Sequence, residues 1–282
     1  MQTCQRVSDL RAQLAQARNN GKRIALVATM GNLHEGHLQL IRLAKTLTDV
    51  VVASIFVNPL QFGLNEDWEQ YPRTLERDSN MLSAEGCDVL FCPTEVDMYP
   101  NGMETQTKVE VPTMTNILCG ASRPGHFLGV TTVVAKLLNM VQPDTAIFGI
   151  KDYQQLTVIR RMVEDLCIPV QVVAAPIARA DDGLALSSRN SYLTAEERPR
   201  AVALYQALNQ ARDTIQAGSR DYAAIEATAQ QQLSQAGMRP DYFSIRQAKT
   251  LEPASAVDTD LVLLGAVYLG KTRLIDNVTL TI

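Results

Sequence analysis

Short, nearly unbroken apolar runs alternate with amphipathic stretches through the first 170 residues or so of the chain. Residues 24–29 (IALVAT), 50–57 (VVVASIFV), 89–92 (VLFC), 146–148 (AIF) and 170–174 (VQVVA) read as strands. They are too apolar on both faces for a half-exposed antiparallel sheet and suit a parallel sheet covered by helices. Between them, residues 38–47, 75–84, 131–141 and 153–166 carry apolar positions at helical spacing. Strands alternating with helices at these loop lengths predict a doubly wound α/β domain with a parallel sheet. In such a sheet ligands bind beyond the carboxyl ends of the strands, so chemistry is expected just after each apolar run.

The pattern changes near Pro176. Residues 194–217 and 221–235 read as two polar-faced helices, and Thr194 with Glu197 has the spacing of a capping box. Residues 242–246, 261–269 and 278–282 are strand-like. The expected division is a domain over 1–175 and a smaller α+β domain over 176–282.

Composition narrows the class without changing the fold. The chain has 282 residues, 46% hydrophobic and 20% charged, with a net charge of −4. A general nucleic-acid binder would carry a basic surface, so none is expected as a partner. The opening 23 residues lack the apolar core of a signal peptide, and no apolar run approaches the roughly 20 residues of a membrane span. Cys4, Cys87, Cys92, Cys119 and Cys167 are odd in number and form no C-x-x-C pair. Reduced thiols in a cytoplasmic protein are the expectation.

The candidate chemistry lies where the fold predicts it. The first apolar run leads through Thr29-Met30-Gly31-Asn32-Leu33-His34-Glu35-Gly36-His37 into a helical stretch. A glycine-punctuated turn into a helix N-terminus presents backbone amides and a positive dipole end, which suits a phosphate. His34 and His37, three apart, can face one ligand. A polar surface turn is the bland alternative. A zinc site is the sharper one, because the chain has three histidines and the third is His126. Helical zinc-binding histidine pairs are usually i, i+4, and no further ligand cluster has the right spacing, so zinc is not expected.

This H-x-G-H turn is similar to the HIGH motif of nucleotidyltransferases and class I aminoacyl-tRNA synthetases, which act at the α-phosphate of ATP. Further segments narrow the resemblance: SIFVNPLQF, YPRTLERD, GASRPGHFLGV, FGIKDYQQL and DGLALSSRNSYL. In order and spacing along nearly the whole chain they resemble the pantothenate synthetase (pantoate–β-alanine ligase) family. The resemblance implies a Rossmann-like nucleotidyltransferase domain with a C-terminal lid, acting as a homodimer. It implies ATP-dependent condensation of (R)-pantoate with β-alanine through a pantoyl-adenylate, releasing AMP and pyrophosphate. ATP with Mg²⁺ is then a substrate, and no organic prosthetic group is expected.

Residue by residue, the resemblance places ATP against Met30, Gly31, Asn32, Leu33, His34, Glu35, Gly36 and His37. Gly149, Ile150, Lys151 and Asp152, Ala178, and Leu186, Ser187, Ser188 and Arg189 complete that set. Catalysis falls to His37 as proton donor, with His34 and Lys151. Such a reaction depends on positioning and on stabilising charge at the phosphates. A lysine supplies a point charge, and the Ser187-Ser188-Arg189 loop supplies hydroxyls and a guanidinium for the β- and γ-phosphates. Gln61 and Gln155 correspond to the pantoate-binding glutamines, with Gln61 also at β-alanine; an amide suits a hydroxy acid because it both donates and accepts. The metal ligands are not identified, and Asp78 is a candidate Mg²⁺ contact. Ile150 and Ala28 depart from the family pattern, which commonly has a polar residue and a proline there.

Residues 265–272 (GAVYLGKT) also satisfy the Walker A pattern. A true phosphate loop follows a strand and opens a helix. Here the loop region is the apolar end of a strand and β-like sequence follows, so no site is expected. The nearest rival function is another H-x-G-H nucleotidyltransferase acting on a phosphorylated substrate. A non-catalytic nucleotide-binding protein and a zinc hydrolase are more distant ones.

Overall fold

In the structure, a computed structural model describing residues 1–63, 66 and 68–282, the apolar runs pair in parallel and one strand more joins them. The chain begins with β1 (Gln2–Cys4), α1 (Val7–Asn19), β2 (Ile24–Thr29), α2 (Glu35–Leu47), β3 (Val50–Ile55), α3 (Leu75–Ala84) and β4 (Val89–Phe91). Three short helices, α4 (Glu95–Met98), α5 (Pro112–Thr115) and α6 (Cys119–Ser122), precede α7 (His126–Val141), β5 (Thr145–Gly149), α8 (Tyr153–Asp165) and β6 (Gln171–Ala175). Then follow α9 (Ala203–Gln216), α10 (Tyr222–Gln235), β7 (Arg239–Gln247), β8 (Asp260–Leu269) and β9 (Thr272–Thr281).

Chain contacts divide the molecule into two units, one of residues 1–150 and 158–176, the other of 151–157 and 177–282. In the first, the described residues form a six-stranded parallel sheet in the order β1-β4-β3-β2-β5-β6. The expected parallel doubly wound architecture is therefore present. Ile24, Ala25, Leu26 and Val27 of β2 are fully buried, which explains the absence of polar alternation. Each such Ile, Leu or Val contributes about 1.5–3 kcal/mol on burial. One sheet face packs Ala25, Val27, Val51, Ala53 and Leu90 against Leu40, Ile41 and Ala44 of α2 and Leu82 of α3. The chain runs from β2 to β3 and β4 on one side and returns to β5 on the other. The switch point therefore lies between the carboxyl ends of β2 and β5.

The second unit is a three-stranded antiparallel sheet, β7-β8-β9, with α9 and α10 packed against it. β8 and β9 are joined by the tight turn Gly270-Lys271, Gly270 standing at φ +57° and Leu269 pairing directly with Thr272. The Walker-like segment is thus a β-hairpin with no helix after it.

Two expectations need correction. The helix expected over 194–217 begins at Ala203. Thr194 and Glu197 do form their capping box, with Thr194 N donating to Glu197 Oε2 at 3.0 Å and Glu197 N to Thr194 Oγ1 at 3.2 Å. Pro199 then interrupts the helix, because it has no N–H and disfavours helical backbone at Arg198. The helix expected over 131–141 instead starts at His126, since Gly125, at φ +82°, turns the chain straight into it.

Candidate active site

The H-x-G-H turn leaves β2 at the switch point and enters α2 with His34 as N-cap. Nδ1 of His34 accepts from the Gly36 N–H at 3.2 Å, and Nδ1 of His37 accepts from the His34 N–H at 3.3 Å. The ring centroids are 4.1 Å apart. A backbone N–H only donates, so Nδ1 of each ring is the unprotonated nitrogen and a neutral ring carries its proton on Nε2. The reciprocal cap thus sets two imidazoles side by side, each with Nε2–H as its donor.

The amides of this turn are used differently from the sequence expectation. Asp78, 0% exposed on α3, accepts from Asn32 N at 2.7 Å and Leu33 N at 3.0 Å. It also accepts from Thr74 Oγ1 at 3.0 Å and from Arg77 Nη2 at 3.4 Å. With Gly36 N on His34 and His37 N on the His34 carbonyl at 2.8 Å, these four amides are satisfied within the protein. The turn offers imidazole donors rather than a row of open amides. Asp78, the candidate Mg²⁺ contact, thus has both oxygens engaged by protein donors. Among the described residues no group of three His, Cys, Asp or Glu side chains is placed to hold a metal ion. Gly31 completes the turn at φ +80°, where a Cβ would meet Asp78 Oδ2 and Ile55 Cγ2 at 3.1 Å. Glu35, expected at ATP, has its carboxylate paired with Arg42 at the surface.

Gln61 ends the short turn Pro59–Gln61 after β3 and is buried. Its orientation follows from Asn58. Leu60 N must donate, so it fixes Oδ1 of Asn58 at 3.3 Å, where the Tyr99 hydroxyl also donates at 2.7 Å. Burial, then the charge of Glu95, pushes the Tyr99 hydroxyl above its ordinary range and keeps it a donor. Nδ2 of Asn58 therefore donates to the Gly129 carbonyl at 3.1 Å and to Gln61 Oε1 at 3.2 Å. Gln61 Nε2 is left pointing to Met30 Sδ, 2.9 Å away, so an amide donor stands beside the H-x-G-H turn. Gly129 permits this, because a Cβ there would lie 2.3 Å from the Leu60 carbonyl oxygen.

His126 supports the same turn. Its Nδ1 donates to the Gln61 carbonyl at 2.8 Å and its Nε2 accepts from Arg123 Nη1 at 3.0 Å. Arg123 in turn grips Glu66 through two hydrogen bonds. Burial raises the Glu66 carboxyl, but the Arg123 hydrogen bonds and charge outweigh it and hold the group below its ordinary value.

In the second unit, Lys151 and Ser187 line one narrow pocket with Asn190, Tyr205 and Asp276. Ser187 caps the turn Ser188–Tyr192 by accepting from Arg189 N at 3.3 Å. Ala178 and Leu186 are clipped together by Leu186 N donating to the Ala178 carbonyl at 2.9 Å. Gln155 is half-buried in the first turn of α8. Gly149 and Ile150 belong to the first unit, at the carboxyl end of β5, whereas Lys151 and the exposed Asp152 fall in the second.

The structure thus brings together His34 with His37, Met30 with Gln61, and Lys151 with Ser187. Sequence reasoning missed Asn58, Tyr99, Gly129 and Arg123. Asn58, Arg123 and Gly129 lie inside quoted motifs, so the signal was present without a role; Tyr99 has none, being brought in only by the fold.

A family model described as pantoate-beta-alanine ligase matches residues 2–279. The pantothenate synthetase of Saccharophagus degradans is 58% identical over 282 residues, covering 100% of this chain and 99% of that protein. Pantothenate synthetase from Thermus thermophilus superposes with a TM-score of 0.92 at 46% identity over 99% of both chains. Pantoate-beta-alanine ligase from Francisella tularensis, complexed with beta-gamma ATP and beta-alanine, gives 0.82 at 35% identity, covering 99% of this chain and 97% of that one.

Proposed function

The chain belongs to the pantoate–β-alanine ligase family, and we infer that it joins pantoate to β-alanine at the expense of ATP. The observation that carries this reading is the imidazole pair, whose Nε2–H donors are fixed by reciprocal backbone hydrogen bonds at the switch point. The pantoate carboxylate attacks the α-phosphorus, forming an acyl–phosphate bond as the α–β bond breaks and pyrophosphate leaves. The β-alanine amine then attacks the acyl carbon, AMP departs and the amine loses a proton. Negative charge builds on phosphate oxygens in the first step, and preorganised donors stabilise it there.

In this reading His34 and His37 donate to those oxygens, with His37 as proton donor, and Lys151 adds a point charge. Met30 to His37 and Gly149 to Asp152 hold the nucleotide, with Ala178 and Leu186; Ser187, Ser188 and Arg189 take the outer phosphates. Gln61 donates from Nε2 to pantoate and neighbours β-alanine, and Gln155 takes the other end of pantoate. Residues 1–175 bind nucleotide and pantoate, and residues 176–282 bring the serine–arginine loop. Mg²⁺ enters with the nucleotide, since it is usually held by substrate phosphates and waters. No helix among the described residues is long and apolar enough to cross a membrane. The free cysteines suit a cytoplasmic setting, and family resemblance favours a homodimer, which sedimentation tests.

The deciding experiment is exchange of labelled pyrophosphate into ATP over a panel of small hydroxy acids. Exchange should require pantoate, and adding β-alanine should yield AMP. ADP as the nucleotide product would sink the adenylate route.

A further inference from the structure

Two adjacent side chains of β9, Asp276 and Asn277, are 4% and 3% exposed. Burying a carboxylate and an amide in a strand is costly unless each is paired, and both find partners in segments assigned above to ATP. Asn277 Nδ2 donates to the Lys151 carbonyl at 2.9 Å. Asp276 accepts both arms of Arg179, from Nη1 at 2.6 Å and Nη2 at 2.9 Å, and the Asn277 N–H at 2.8 Å. Arg179 follows Ala178 and also donates to the Gly183 carbonyl at 3.0 Å, while its guanidinium lies 3.7 Å from the Tyr205 ring centroid. It bridges antiparallel to Ala185, and Asn190 Nδ2 donates to the Ala185 carbonyl at 3.0 Å, so the clip ends two residues before Ser187.

We propose that Asp276 and Asn277 are positioning residues for adenylation, fixing the Lys151 main chain against the strap that carries Ser187, Ser188 and Arg189. Asn277 holds the lysine segment and Asp276 the strap, and because they are neighbours on one strand the two segments share one rigid reference. Arg179 has a second effect. Asp276 lines the same pocket as Lys151, and a carboxylate left without its guanidinium would compete with phosphate for the ammonium. Misplacement of a charged group by a fraction of an ångström costs rate more than ground-state affinity.

The inference rests on the reading of Lys151 as a phosphate contact, and a double-mutant cycle separates the two. Single-turnover adenylate formation at saturating ATP and pantoate should slow at least about tenfold in Asn277→Ala and Asn277→Asp. The ATP dissociation constant by calorimetry should stay within about threefold. Because Asn277 acts through Lys151, adding Asn277→Ala to Lys151→Ala should slow that variant by less than about twofold. Should neither Asn277 variant fold, Arg179→Lys, which keeps the charge but loses the fork and the stacking, should show the same pattern. A full-rate Lys151→Ala enzyme overturns the reading of the lysine, and with it this role for Asn277. A slow Lys151→Ala enzyme beside full-rate Asn277 variants, or losses that multiply in the double mutant, overturns the positioning role alone.

Discussion

Replacing Asp78 by Asn tests how the histidine turn is held. The carboxylate accepts from two backbone amides, Asn32 N and Leu33 N, and from the Thr74 hydroxyl. Its contact with Arg77 is long, 3.4 Å, and the arginine side chain is 53% exposed, so it contributes little. An asparagine of the same shape has one accepting oxygen. If its NH₂ takes the place of Oδ1 it faces Leu33 N–H and Arg77, both donors. If it takes the place of Oδ2 it faces Asn32 N–H and Thr74, whose hydroxyl can rotate to accept. The second arrangement costs less and leaves the Asn32 amide unsatisfied, about 1–3 kcal/mol, beyond the loss of charge on the remaining bond. Gly31 and Asn32 both stand at positive φ, +80° and +49°, a conformation open to glycine and more accessible to asparagine than to most side chains, though not its preferred one. Once released, the turn relaxes and moves the imidazoles, so adenylate formation should slow at least about tenfold. Urea denaturation gives the stability and rapid quench the rate. A rate unchanged within twofold, with stability within about 0.5 kcal/mol of the parent, would refute the clamp. Rescue of the rate by high Mg²⁺ would instead restore Asp78 as a metal ligand.

The cap and the donor of His34 can be separated, because Asn is a favoured N-cap but has no Nε2–H: His34→Asn should keep stability within about 0.5 kcal/mol and cut adenylation about 10²-fold. A normal rate would show that the ring serves only the helix. Gly129→Ala ought to reverse the usual helical preference for alanine, since the new Cβ meets the Leu60 carbonyl carbon and oxygen at 2.4 and 2.3 Å. A loss of about 1–3 kcal/mol with a raised KM for pantoate is expected, and a stabilised protein would contradict the packing. The Glu66 carboxyl lies below its ordinary value of 4.5 in the folded state. Its stabilisation is therefore present above about pH 4.5 and lost as pH falls through the lower folded value. Denaturation curves of Glu66→Gln should fall less steeply with acid below pH 4.5 than those of the parent, and parallel slopes would remove the pair from the account.

The sequence by itself determined the parallel sheet, because strands buried on both faces are largely apolar, and β2 and β3 announce this in all but Thr29 and Ser54. It also determined where to look, since the H-x-G-H turn and the Lys151 segment each follow a strand that the pattern locates. It rejected the Walker-like segment by the lack of a following helix. The short strand Gln2–Cys4 was invisible, for three residues with no apolar run are held only by pairing with β4, far along the chain. Pro199 is a helix breaker legible in the sequence, and the capping box before it closes only a single turn. The role of Asp78 was beyond the sequence: an acidic residue on a helix is ordinarily solvated, and only tertiary packing sets this one under the amides of a turn 45 residues away. The same holds for Asn58, whose backbone partners decide which end of Gln61 faces Met30, and for Asn277, 126 residues from the lysine segment it holds. Periodicity reports which positions meet a core, because hydrophobicity is a local property of each residue. Which donor meets which acceptor depends on distances between elements remote in sequence, and those exist only once the chain has folded.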